Sequence, residues 1–343
     1  MGRLDDYRSA LLVADPAVSD AALEQVLEGA GPDFDLFVID HGLGPSWHER
    51  TGHAEFRDSR LTAEALYLAQ ESALRDIDAA LNAQGIAYVL IKGGATRLAL
   101  YDNPALRACH DLDLLVCPDD RVRAASVLVD TGFRASPESK SISRELVLSR
   151  GDVDIDLHWG LLREGRLRFE DVPAMLARRE RSHGTWMLSA GDALFLLLVH
   201  PAFTKHLGGF DMGLHRVADI VAFLHRTEVD MMDVTVSLVA NGVATAGWTT
   251  LRWVQMLTAP QPVPGLESLL STLAPGRLRR AWLNGWLERD LSARMATAHW
   301  VRLFGFTPLL HDAPGDVLRA FSGRIRARRR SAADMAAFRD LAG

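Results

Sequence analysis

The sequence predicts an α+β fold: a small mixed β-sheet core, a helical N-terminal segment before it and a large helical C-terminal domain after it. Three observations carry this. Short strand-like runs bounded by Gly and Pro turns are confined to the stretch from about 62 to 160. Two of them, DLDLLV (Asp111 to Val116) and DVDIDLHW (Asp152 to Trp159), alternate acid with aliphatic, the period of a half-buried strand. Beyond Gly160 strand signals almost vanish and helix-compatible segments take over, separated by breaks such as APQPVPG (Ala259 to Gly265). The expected division is a helical N-terminal region over 1–61, the core over 62–160 and a helical domain over 161–343.

The elements follow in order. Asp20 is placed to cap a helix through Ala21 to Gly29, and GPDFD and HGLGPSW read as loops. From Leu61 to Ala83 apolar residues recur at helical spacing, and Gln84-Gly85 ends that helix. IAYVLIKGG is a short buried strand running into a Gly-Gly turn, after which ATRLALY resumes helical spacing. DLDLLV is the next strand. Pro118-Asp119-Asp120 then starts a helix through Asp130, with Gly132 as its stop. Ile142 to Ser149 alternates as a strand, Gly151-Asp152 supplies a turn, and DVDIDLHW returns as the antiparallel partner. Helices are expected near 170–180, 190–203, 212–226, 230–241, 243–258, 265–272, 277–297 and 315–340.

Bulk properties exclude several classes. At 343 residues the chain exceeds one typical core, so two or three domains or subdomains are expected. A net charge of -6 argues against broad nonspecific nucleic-acid binding. Cys109 and Cys117 are the only cysteines and form no metal-type spacing, which points to a reduced, cytoplasmic protein. The N-terminus lacks an export-signal pattern, and the longest apolar run, ALFLLLVH (Ala193 to His200), is too short to span a bilayer. No membrane partner is expected.

The acidic strands carry the chemistry. Successive side chains of a strand point to opposite faces, so Asp111 and Asp113 share one face and Asp154, Asp156 and His158 share another. If the two strands are neighbours, at least three carboxylates converge, and like charges that close require a cation. Divalent metal follows.

Together the strand, the Lys92-Gly93-Gly94 turn, the helix, Asp111-Leu112-Asp113-Leu114 and the later Asp156 strand resemble the nucleotidyltransferase superfamily, whose fold is that of DNA polymerase β. More narrowly, LIKGGATRLALYDNPALRACHDLDLLV followed by VDIDLHWGLL is similar to an uncharacterised bacterial nucleotidyltransferase group. The specific match covers roughly residues 85 to 225. The resemblance implies that Asp111 and Asp113 are shared metal ligands and that Asp156 completes the site and receives the proton of an attacking hydroxyl. Asp154 shares the cleft-side face with Asp156 and is the alternative third carboxylate. The implied cofactor is Mg²⁺, as a two-ion site. Such ions sit ~3.5–4 Å apart, and carboxylates at i and i+2, whose Cα atoms are ~6.5–7 Å apart, can bridge them. The glycine pair at a helix start would present N–H groups to phosphate oxygens.

Nucleotide-binding candidates are Lys92, Gly93, Gly94, Arg107, His158, Lys205 and His206. Lys92 stands at a strand end, where it can neutralise phosphate. Arg107, four residues before Asp111, suits bidentate work on triphosphate or on the Asp. His158 is placed to contact substrate or hold a carboxylate, and Trp159 to pack in the core. The histidines His200, His206 and His215 lack the helical HExxH spacing of a zinc site. GRIRARRRSAAD (Gly323 to Asp334) is a basic helix or a contact for RNA or an acidic partner.

The expected activity is Mg²⁺-dependent transfer of an NMP, AMP by preference, from an NTP to a hydroxyl or phosphate acceptor on a small molecule, peptide or protein. Two readings compete with it: a toxin-like enzyme acting on transfer RNA, and a non-catalytic nucleotide-binding module.

Overall fold

A computed structural model of the chain describes residues 4–136, 143–205, 207, 213–289, 293–294, 296–338 and 341. The chain forms two compact units. One gathers residues up to Glu64, Leu100–Ala108 and Leu194–Asp312; the other gathers Ala65–Ala99, Cys109–Ala193 and the residues from Ala313 onward.

The first unit is helical, with helices Leu4–Leu11, Asp20–Gly29, Phe34–Asp40, Gly44–Thr51, His215–Arg226, Met231–Ala240, Ala244–Thr258, Leu266–Thr272 and Arg277–Leu287. Trp47, fully buried, donates its ring N–H to the Ala10 carbonyl, which ties Gly44–Thr51 to the first helix. Two readings are corrected here. HGLGPSW is a loop only as far as Leu43, because Pro45 falls in the first turn of Gly44–Thr51, where a missing N–H costs nothing. The cap of Asp20–Gly29 is Ser19, whose hydroxyl accepts from the Ala22 N–H, rather than Asp20.

The second unit holds a seven-stranded mixed sheet. Its strands are β1 (Tyr88–Ile91), β2 (Asp111–Val116), β3 (Arg134–Ala135), β4 (Glu145–Arg150), β5 (Val153–His158), β6 (Glu180–Ser182) and β7 (Thr185–Met187), in the order β3-β4-β5-β2-β1-β7-β6. The pairs β1–β2 and β4–β5 are antiparallel, whereas β2–β5 is parallel. One face of the sheet is apolar. Tyr88, Leu90, Leu112, Leu114, Leu146, Leu148, Ile155 and Leu157 pack there with Ile77 and Leu81 of the Arg57–Ala83 helix and Ala124, Ala125 and Leu128 of the Arg121–Asp130 helix. Trp159 joins this core, 5.6 Å from the Phe338 ring.

The stretch expected to be helical around 170–180 contains only Val172–Ala177, and a hairpin follows that the strand signals missed. β6 and β7 have three residues each, too few to display alternation. His183 and Gly184 both have positive φ, at 49° and 76°, and so turn the chain in two residues, after which β7 adds parallel to β1.

Candidate active site

Strand register builds the site. Parallel pairing of β2 with β5 sets Asp111 opposite Asp154 and Asp113 opposite Asp156, while β1 places Ile91 opposite Asp113. The alternation that buries Leu112, Leu114, Ile155 and Leu157 on the core face therefore sends the acids to the other face. On β4, Glu145 pairs with His158 and extends that acidic face by one strand.

Lys92 begins the helix Lys92–Leu100 with φ at +52°, a left-handed conformation rare for a side-chain-bearing residue. Its ammonium Nζ lies 2.5 Å from Asp113 Oδ1 and 3.0 Å from His158 Nε2. His158 Nε2 is itself 2.8 Å from Asp113 Oδ1, and its Nδ1 faces Glu145 Oε2 at 3.6 Å. Burial works against a charged Asp113, yet the Lys92 ammonium and the His158 hydrogen bond hold its carboxyl well below the usual carboxylate range. Burial likewise disfavours charge on Lys92, and Asp113, Asp111 and Asp156 outweigh that, so its pKa is raised.

Asp156 behaves oppositely. Burial and the nearby charges of Asp113, Asp111 and Glu145 push its carboxyl up to about 7. One ammonium thus does not offset the whole cluster. Asp113, Asp156 and His158 each offer a ligand atom, and these atoms lie within 4.8 Å of one another. Two carboxylates match the oxygen preference of a hard divalent cation, and His158, already hydrogen-bonded to Asp113, suits the task of orienting that ligand. Asp154 is exposed and accepts a 2.6 Å hydrogen bond from Ser149 Oγ.

A family model described as an uncharacterised nucleotidyltransferase matches residues 45–258, more than half of the 343-residue chain. The chain belongs to this nucleotidyltransferase family. A search of curated proteins finds no match.

Among the residues of this nucleotidyltransferase singled out by sequence, the sheet unit brings together Lys92, Asp111, Asp113, Asp156 and His158. Gly93 and Gly94 lie in the first turn of Lys92–Leu100, where N–H groups have no intrahelical acceptor. Gly94 also has a packing reason: a Cβ there would come 3.0 Å from Leu90 Cδ1 and 3.4 Å from Leu112 Cδ2. Arg107 belongs to the helical unit, where its guanidinium grips Asp219 with Nη2–Oδ2 at 2.7 Å and Nε–Oδ1 at 3.2 Å. It also lines a cavity of about 330 Å³ there, with Tyr101 and His215. Burial and the Arg107 charge lower the His215 pKa well below the usual value. Lys205 ends the Ala190–Lys205 helix, and His206 lies outside the described residues.

Two contributors escaped the sequence reading. Glu145 became relevant only through its pairing with His158. Gln70 is fully buried; its amide donates to the carbonyls of Cys109 and His110 at 3.1 Å each and its Oε1 accepts from Arg97 at 2.6 Å. It thereby fixes the backbone that leads into Asp111. The one available signal was a glutamine on the apolar stripe of a helix. Among the described residues no helix is long and apolar enough to cross a membrane.

Proposed function

We propose that this nucleotidyltransferase moves an NMP, AMP by preference, from an NTP to a hydroxyl or phosphate of a small-molecule, peptide or protein acceptor, with Mg²⁺ and release of pyrophosphate. The carrying observation is the convergence of Asp113, Asp156 and His158 on the acidic face of the sheet, with Asp111 contributing to the field felt by Lys92 and Asp156.

In this reading Asp111, Asp113 and Asp156 hold the metal, which when bound neutralises triphosphate charge and polarises the phosphorus under attack. Asp156 takes the acceptor's proton as the new O–P bond forms and the bond to pyrophosphate breaks. His158 keeps Asp113 oriented through Nε2. The first-turn amides at Gly93 and Gly94 donate to phosphate oxygens, and Lys92 supplies a positive charge beside them.

The test is label transfer. The protein is incubated with each α-³²P-labelled NTP, Mg²⁺ and candidate acceptors (peptide, RNA, cell extract). Transfer by wild type and its loss in Asp113→Asn are expected; no transfer to any acceptor with any NTP sinks the reading.

A further inference from the structure

Three arginines on the sheet unit play no part in the reading above. After β5 the chain runs through a loop bearing Arg163 and Arg166, and this loop lies against the C-terminal helix Pro314–Ala336. The contact is backbone against backbone. Gly165 has φ of +82°, and a Cβ on it would collide with the Arg319 carbonyl; a Cβ on Gly323 would collide with the Glu164 carbonyl. Ion pairs close the contact on both flanks: Arg168 with Asp316 at 2.7 Å and Arg326 with Glu164 at 2.9 Å. Arg163 and Arg166 bracket Gly165, and Arg324 follows Gly323. The glycine contact therefore brings together the two backbone segments that carry Arg163, Arg166 and Arg324, and their charges act on one another.

Such a gathering is electrostatically costly. Arg166 is 8% exposed, and burial together with the charges of Arg163 and Arg324 lowers its pKa to about 9. Arg163 is lowered for the same reasons, burial first, with Glu145 opposing. A polyvalent anion relieves repulsion of this kind, and planar guanidiniums match phosphate bidentately.

Strand order says which phosphate. Asp113 on β2 has β1 on one side, leading to Lys92-Gly93-Gly94, and β5 then β4 on the other. Arg144, next to Glu145 at the start of β4, donates to the Leu162 carbonyl, and Glu145 is 3.6 Å from His158, so the loop that carries Arg163 and Arg166 belongs to the β4–β5 side. In-line phosphoryl transfer separates the attacking group from the leaving pyrophosphate across the phosphorus. With the triphosphate on the glycine side, the arginine side receives the acceptor.

We infer that Arg163, Arg166 and Arg324 form a subsite for a phosphate group carried by the acceptor, which makes the acceptor a phosphorylated molecule. This rests on the proposed transfer reaction for its orientation, but the subsite itself is testable by binding alone. Inorganic phosphate is the probe, titrated calorimetrically into the full chain. The Arg163→Ala/Arg324→Ala double variant removes the two less buried side chains, and Arg166→Lys keeps a basic side chain while removing the fork; circular dichroism checks that each is folded. Phosphate affinity is expected to fall about tenfold or more in both, as lost charge-assisted hydrogen bonds require, with affinity for Mg²⁺ and a non-hydrolysable ATP analogue unchanged. Unchanged phosphate affinity overturns the subsite. Parallel loss of the ATP analogue overturns the acceptor assignment, because the arginines then serve the triphosphate. If phosphate binding responds as expected while no NTP label is transferred, the subsite stands and the transfer reaction fails.

Discussion

Lys92 Nζ sits 2.5 Å from Asp113 Oδ1, with side-chain exposures of 16% and 5%. A largely buried carboxylate thus carries a cation supplied by the chain itself. The pair sets up a competition: an ammonium on Asp113 opposes a divalent cation on the same oxygens. Lys92→Met is expected to tighten Mn²⁺ binding, read by electron paramagnetic resonance, while lowering label transfer from NTP. Weaker Mn²⁺ binding in the variant would show that Lys92 instead helps assemble the ligand set.

Asp113→Asn should cost stability as well as activity. The substitution leaves the Lys92 ammonium without its carboxylate, and breaking a buried pair from one side costs about 3 kcal/mol. A lowered Tm is expected, partly restored in the double variant Asp113→Asn/Lys92→Met.

Asp156 gives the pH dependence. Its folded pKa of about 7 exceeds the ordinary carboxylate value, so between about pH 4 and 7 the folded state binds the proton that the unfolded state has released. The stabilisation tied to this group therefore fades as pH rises through 7. Without divalent cation, Tm relative to Asp156→Asn should fall between pH 5.5 and 8. Metal must displace that proton, so apparent metal affinity should be about tenfold weaker at pH 6 than at pH 8. A pH-independent affinity would remove Asp156 from the ligand set.

In the helical unit, Asp219 accepts from both Arg107 and Tyr101, and the Arg107–Asp219 pair is 5% and 2% exposed. Asp219→Ala strands a buried guanidinium and should cost about 3–5 kcal/mol in chemical denaturation. The Arg107→Met/Asp219→Leu double variant should recover most of it. A mild single-variant effect would mean that water reaches Arg107.

Gln70→Leu tests the support of β2. It leaves two carbonyls and the Arg97 guanidinium short of a partner, at a cost of about 2–3 kcal/mol. Faster amide hydrogen exchange at Cys109 to Asp111 is the specific expectation; unchanged exchange there would confine Gln70 to a packing role.

The site was legible where chemistry follows a local period. Alternation in DLDLLV and DVDIDLHW fixes which face each acid takes, and β2–β5 pairing then sets Asp113 opposite Asp156. Asp154 and Asp156 share a face, so periodicity does not separate them; the structure leaves Asp154 exposed with Ser149 and groups Asp156 with Asp113 and His158. Long-range pairings left no local trace. Arg107 precedes Asp111 by four residues, yet its partner Asp219 lies 112 residues away. The hairpin at 180–187 was hidden by its brevity, and Glu145 by lying on a strand with no acidic pattern of its own.

The sheet unit draws its last segment from residues 313 onward, and Arg324 rides on it. During synthesis β2 and β5 leave the ribosome about 200 and about 155 residues, respectively, before the helix that abuts the Arg163–Arg166 loop. For that interval the nascent chain carries Asp111, Asp113 and Asp156 without its full complement of arginines. Chains that stall before Gly323 would therefore display an acidic half-site on the ribosome, and synthesis of the Pro314–Ala336 helix is what adds the last of the three arginines.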